Sequence, residues 1–193
     1  MQFITSTFLV MAKTNNYLVI MAGGVGSRFW PMSTTDYPKQ FIDVLGCGRT
    51  LIQLTKDRFE GICPPENIWI VTSDKYADEV KRQLPEVADD HILREPCRRN
   101  TAPCIAYVSW KIKSRDPKAN MVVTPSDHVV LDVKEFQRVI VSAMKFTNNS
   151  DAILTLGMKP NRPETGYGYI EADLSYPSNY NKEIYRVDSF KEK

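Results

Sequence analysis

Short apolar runs that alternate with longer stretches of helical periodicity constrain this chain more than any other feature. Residues 17–22, 68–72 and 121–124 are rich in aliphatic and β-branched side chains, and each run gives way to Gly, Ser, Asp or Pro, as buried strands do. Residues 51–59, 76–84, 102–112 and 136–146 instead carry apolar side chains three and four positions apart, the stripe of an amphipathic helix. Strands and helices in alternation make βα units, which stack into a mostly parallel sheet covered by helices. A further strand is expected over 152–157. Beyond Gly157 the content of Pro, Gly, Asn and Tyr rises and the helical period disappears, so loops and short strands are expected there.

In an open α/β sheet, ligands bind beyond the carboxyl ends of the strands, so the segments after each apolar run are the candidate site. The first run is followed over 22–41 by A-G-G-V-G-S-R-F-W-P-M-S-T-T-D-Y-P-K-Q-F. Clustered glycines allow a turn to offer backbone N–H groups to a phosphate, and Arg28 and Lys39 add two cations to the same loop. The string is not the G-x-x-x-x-G-K-[ST] of P-loop proteins, and Phe29 stands where a dinucleotide fingerprint has its third glycine.

Two other segments follow apolar runs. Glu95-Pro96-Cys97-Arg98-Arg99-Asn100-Thr101 can cap the next helix through Asn100 or Thr101. It can also recognise guanine, whose N1 and N2 donors suit a carboxylate. Pro125-Ser126-Asp127-His128 can cap the helix near Phe136, or place Asp127 at a strand tip as a ligand for Mg²⁺ beside a triphosphate. Further on, Pro163-Glu164-Thr165-Gly166-Tyr167-Gly168 is either a turn between strands or a sugar-binding loop with a carboxylate and close backbone approach. His91 and His128 are assigned no chemistry.

Composition removes several function classes. A chain of 193 residues fits one domain with a real core. Twenty-five Lys+Arg against 23 Asp+Glu leave a charge of only +2, which gives no basis for a nucleic-acid or membrane surface. The four cysteines form no C-x-x-C pair and no zinc-ligand spacing, so packing roles in a reducing cytoplasm are expected. The sequon Asn148-Asn149-Ser150 matters only in a secreted protein. The apolar run 3–11 is too short to span a bilayer and has no cationic segment before it. Because Met11-Ala12-Lys13 has the look of an ordinary start, the residues before it are expected to be an upstream extension; the domain proper is expected over 17–193, with 1–16 as its N-terminal extension.

Taken in order, A-G-G-V-G-S-R-F-W-P, P-K-Q-F, E-P-C-R-R-N-T-A-P, P-S-D-H, P-E-T-G-Y-G-Y-I and F-K-E-K resemble the motif set of the mannose-1-phosphate guanylyltransferases. These are the GDP-mannose pyrophosphorylases, here of bacterial type, within the sugar-1-phosphate nucleotidyltransferase family. The resemblance implies a Rossmann-like three-layer α/β domain with a mixed sheet, and transfer of GMP from GTP to α-D-mannose 1-phosphate with release of pyrophosphate. It implies that Gly23, Gly24 and Gly26 line the nucleotide, that Arg28 and Lys39 hold its phosphates and that Asp127 binds Mg²⁺. Glu95, Asn100 and Thr101 would lie near guanosine, and Glu164, Gly166, Glu192 and Lys193 near mannose 1-phosphate. Family catalytic domains continue past the F-x-E-K string, with a second metal-binding Asp and more of the sugar pocket. The chain is therefore expected to be the N-terminal part of a longer enzyme that pairs as a homodimer. The alternatives are the same chemistry on another hexose 1-phosphate or nucleotide, or a non-catalytic nucleotide-binding fragment.

Overall fold

The structure is a computed structural model that describes residues 15–24, 29–97 and 99–192. The chain divides into two compact units, Met1–Met144 and Lys145–Lys193.

The first unit is built on four strands: β1 (Asn16–Met21), β2 (Ile68–Ser73), β3 (Ile92–Glu95) and β4 (Asn120–Pro125). All are parallel, in the order β3-β2-β1-β4. Their side chains alternate between two apolar cores. Leu18, Ile20, Ala22, Ile68, Ile70 and Ile92 face one of them, packed against α1 (Leu51–Asp57), α2 (Ala77–Gln83) and α4 (Val133–Thr147). Val19, Trp69, Val71 and Leu93 face the other, beneath Cys104, Val108 and Ile112 of α3 (Thr101–Arg115). A sheet buried on both faces reads as unbroken apolar runs, which is why the strands were visible in the sequence. The three-layer α/β architecture is thus the expected one, with β3 an additional short strand.

The order of the strands has a positional consequence. The chain leaves β1 in one direction to build β2 and β3, then crosses back to place β4 on the other side of β1. This reversal is a topological switch point at the carboxyl ends of β1 and β4, the usual ligand position of such sheets.

The second unit holds one antiparallel pair, β5 (Tyr169–Pro177) and β6 (Tyr185–Lys191), with register irregularities at Glu171/Ala172 and Asp173/Pro177. The strand expected over 152–157 does not form: 151–168 contain no helix or strand, and Ile153 is fully exposed. Apolar content alone does not make a strand when no neighbour accepts its backbone hydrogen bonds, and β5 and β6 pair with each other instead. Among the described residues, no helix is long and apolar enough to cross a membrane.

Candidate nucleotide site at the sheet edge

The segment after β1 is tied down by buried polar groups. Ala22 N donates to Val71 O at 2.7 Å, and Ala22 O accepts from Thr72 Oγ1 at 3.0 Å. Gln40, only 2 % exposed, donates through Nε2 to both Ala22 O (3.1 Å) and Gly24 O (2.9 Å). Its neighbour Phe41 is buried edge-on against Tyr76 with ring centroids 5.9 Å apart, while Tyr37 Oη donates to Phe41 O. The one-turn helix Lys39–Phe41 is therefore clamped on two buried side chains, which leaves Lys39 as its part-exposed member. The sequence string P-K-Q-F marked Lys39; Gln40, which stitches that string to the glycine turn, carried no signal of its own.

Lys39 and Asp127 meet, with Nζ 2.8 Å from Oδ2. The segment of Asp127 leaves β4 beside β1, and Ser126 N donates to Met21 O at 3.1 Å. The capping alternative for Ser126-Asp127 is excluded, because Asp132 performs that role: its Oδ1 accepts from Glu135 N at 2.9 Å at the start of α4.

Glu95 ends β3 on the same edge. A Cβ placed on Gly23 would lie 3.7 Å from Glu95 Oε2, so the carboxylate packs beside the glycine turn. Cys104, in the first turn of α3, lies near Glu95. Burial first, then the negative charge of Glu95 and its acceptor oxygens, push the thiol up to about 11. Asn100 occupies the position before α3 with φ 67° and ψ −173°, and its side chain makes no capping bond. A non-glycine residue held there carries about 1–3 kcal/mol of strain, a feature that gathers at binding sites. Thr101 opens α3, whose first turn leaves backbone N–H groups without intrahelical acceptors.

The structure thus brings together Gly23, Gly24, Lys39, Asp127 and Glu95 at one sheet edge, with Asn100 and Thr101 following directly from β3. Gly26, Arg28 and Lys193 lie outside the described residues. Glu164, Gly166 and Glu192 belong to the second unit. There Glu164 Oε1 accepts from Gly166 N at 3.0 Å, Glu164 N donates to Tyr169 Oη at 2.8 Å, and Tyr169 Oη donates back to Glu164 O at 3.1 Å. A Cβ on Gly166 would approach Glu164 Oε1 to 3.1 Å, a tight contact with the end of a flexible side chain. Glu192 follows β6 and is exposed.

Among the described residues, no three His, Cys, Asp or Glu side chains cluster as a metal cage. Asp127 alone fits the way Mg²⁺ is held, by one or two carboxylates completed by substrate phosphates and water.

The family model described as nucleotidyl transferase matches residues 17–193. The chain is 38% identical over 182 residues to mannose-1-phosphate guanylyltransferase 2 of Escherichia coli O157:H7, covering 91% of this chain and 37% of that protein. It is 38% identical over 181 residues to the alginate biosynthesis protein AlgA of Pseudomonas aeruginosa, covering 91% and 36%. A crystal structure of mannose-1-phosphate geranyltransferase from Thermus thermophilus superposes with a TM-score of 0.76 at 30% identity, covering 93% of this chain and 50% of that one. The chain spans little more than a third of the length of these two curated relatives.

Proposed function

The chain belongs to the nucleotidyl transferase family, and on that premise we propose that it is the nucleotide-binding part of an enzyme that joins GTP to α-D-mannose 1-phosphate. The single observation that carries this is the Lys39–Asp127 pair, 2.8 Å apart at the switch point of the sheet and adjoining the glycine turn. A cation and a lone carboxylate at that point are what a triphosphate with a divalent ion requires. The names of the relatives at 38% identity support the choice of base and sugar.

In this reading Gly23, Gly24 and Gly26 offer backbone to the nucleotide, while Arg28 and Lys39 hold its phosphates. The carboxylate of Glu95, beside the glycine turn, accepts from the guanine N1 and N2 donors, with Asn100 and Thr101 beside the nucleoside. Glu164, Gly166, Glu192 and Lys193 receive the sugar phosphate. The phosphate of mannose 1-phosphate, with a second pKa of about 6, is mostly dianionic at pH 7 and attacks the α-phosphorus without a general base. A bond forms from the sugar phosphate oxygen to that phosphorus, the bond from it to the β-phosphate oxygen breaks, and pyrophosphate leaves with the electron pair. Catalysis is then positioning and charge neutralisation, and Lys39 and Arg28 supply fixed positive charge. Mg²⁺ bound by Asp127 would add neutralisation of the triphosphate and of the leaving pyrophosphate.

Residues 17–193 as the first part of a catalytic domain and a homodimeric full-length enzyme belong to the same reading and rest on the family resemblance, while residues 1–16 as an extension rest on Met11-Ala12-Lys13 and a cytoplasmic location on the cysteine pattern. The test is pyrophosphate release from GTP and mannose 1-phosphate by the full-length protein. Lys39→Ala and Arg28→Ala should each lose most turnover, and Asp127→Asn should abolish the metal-dependent rate. Near-wild-type rates in these variants would overturn the assignment.

A further inference from the structure

Arg58, at the carboxyl end of α1, is 5 % exposed, yet the described residues give it no carboxylate partner. Its guanidinium is satisfied differently. Nη1 donates to His128 O at 2.8 Å, Nη2 donates to Thr55 Oγ1 at 2.6 Å, and the Phe136 ring lies 5.5 Å from Cζ. Among the described residues, Nε has no hydrogen-bond partner. Thr55 is itself fully buried; its oxygen accepts from Arg58 while its hydroxyl donates onward to Ser126 O at 3.4 Å. Gln137 Nε2 in turn donates to Arg58 O at 3.0 Å.

Burying a guanidinium without a counter-ion is costly, and an apolar side chain would fill the same space with less penalty. What the charge does here is local and specific. The two carbonyls it reaches, directly or through Thr55, are those of Ser126 and His128, the residues on either side of Asp127. Ser126 N is already held by Met21 O. The backbone of Asp127 is therefore gripped on both flanks from beneath, while its carboxylate remains turned to Lys39.

We propose that Arg58, acting with Thr55, is the positioning residue that sets Asp127 for metal and nucleotide. Arg58 touches neither; it works through the carbonyls of the two residues that flank Asp127. This inference rests on the proposed role of Asp127.

The test measures Mn²⁺ affinity by electron paramagnetic resonance in the GTP complex of the full-length protein, alongside GTP affinity without metal. Arg58→Met should weaken Mn²⁺ binding about tenfold, the equivalent of about 1.4 kcal/mol, and leave metal-free GTP binding unchanged. Arg58→Lys should recover part of the loss. Thr55→Val, which keeps the volume and deletes the hydroxyl, should weaken Mn²⁺ binding less than Arg58→Met does, and it serves if Arg58→Met does not fold. Val80→Ala, in the core away from the site, should lower the melting temperature without moving Mn²⁺ affinity, which separates positioning from general loss of stability. On an Asp127→Asn background, Arg58→Met should add nothing. If Asp127→Asn leaves Mn²⁺ binding intact, the role of Asp127 itself is refuted. If Asp127→Asn weakens it while folded Arg58→Met or Thr55→Val does not, the positioning role of Arg58 is refuted.

Discussion

Two glycine-bearing loops each carry candidate site residues, and they are held in different ways. The turn at Gly23 and Gly24 lies at the end of a doubly covered sheet, and its carbonyls accept from Gln40 and Thr72, which are 18 and 50 residues from Ala22. In the loop around Glu164 and Gly166, the hydrogen bonds from Gly166 N to Glu164 Oε1 and between Glu164 and Tyr169 join residues no more than five positions apart, and the hairpin beside it keeps much of both strands exposed. In the first case tertiary packing over-determines the position of each group. In the second, local hydrogen bonds define the shape, and an isolated two-stranded pair contributes little stability of its own. The groups proposed to face a triphosphate sit where movement is costly.

Core truncation should separate the two regions most widely. Ile20→Ala, at a fully buried position of β1, is expected to cost about 2–5 kcal/mol of unfolding free energy. Ile170→Ala in β5, at 36 % exposure, should cost less than about 1 kcal/mol. Equal shifts in chemical denaturation would show that the hairpin is as tightly packed as the sheet. A smaller difference is expected for polar contacts. Gln40→Ala removes the donor shared by two carbonyls and should destabilise by about 1–3 kcal/mol, together with weaker GTP binding. Glu164→Ala should leave stability within about 0.5 kcal/mol of the parent. GTP affinity unchanged in folded Gln40→Ala would remove Gln40 from the account of the glycine turn.

The smallest effect is expected at the opposite edge of the sheet. His91 stacks on Trp69 with ring centroids 4.2 Å apart and faces Ile68 O at 3.2 Å through Nδ1. Its Nε2 accepts from Arg115 Nη1 at 2.8 Å, and Arg115 also holds Asp90. Burial, with Arg115 adding to it against the opposing pull of Asp90 and Ile68 O, lowers the His91 pKa from 6.5. The unfolded chain therefore takes up this proton first as pH falls, so the contribution of neutral His91 is complete above 6.5 and is lost as pH drops through the lower folded value. Melting temperature should decline gently between about pH 7 and 5, and His91→Gln should flatten that slope. A midpoint that rises on acidification over this range would contradict the neutral, hydrogen-bonded state of His91.

Legibility followed the kind of contact. β1, β2 and β4 were readable because burial on both faces leaves continuous apolar runs, and the four helices because their stripes repeat at helical spacing. Lys39 and Asp127 were readable because charged residues after strand ends lie where ligands bind. Arg58 and Thr55 were not: on a short amphipathic helix, an Arg near the end reads as a solvated cation and a Thr as a neutral polar position. The strand expected over 152–157 failed for a related reason, since pairing depends on a neighbour and not on composition.

The sequence by itself determined the layered α/β class and the family to which the chain belongs, because these depend on periodicity and on residues close together in the chain. Only the tertiary structure decided that β1 lies between β2 and β4, that Lys39 meets Asp127 88 positions away, and that a buried cation grips the backbone around Asp127. Those are contacts between distant segments. They exist only after the sheet order and register have placed the strand ends side by side.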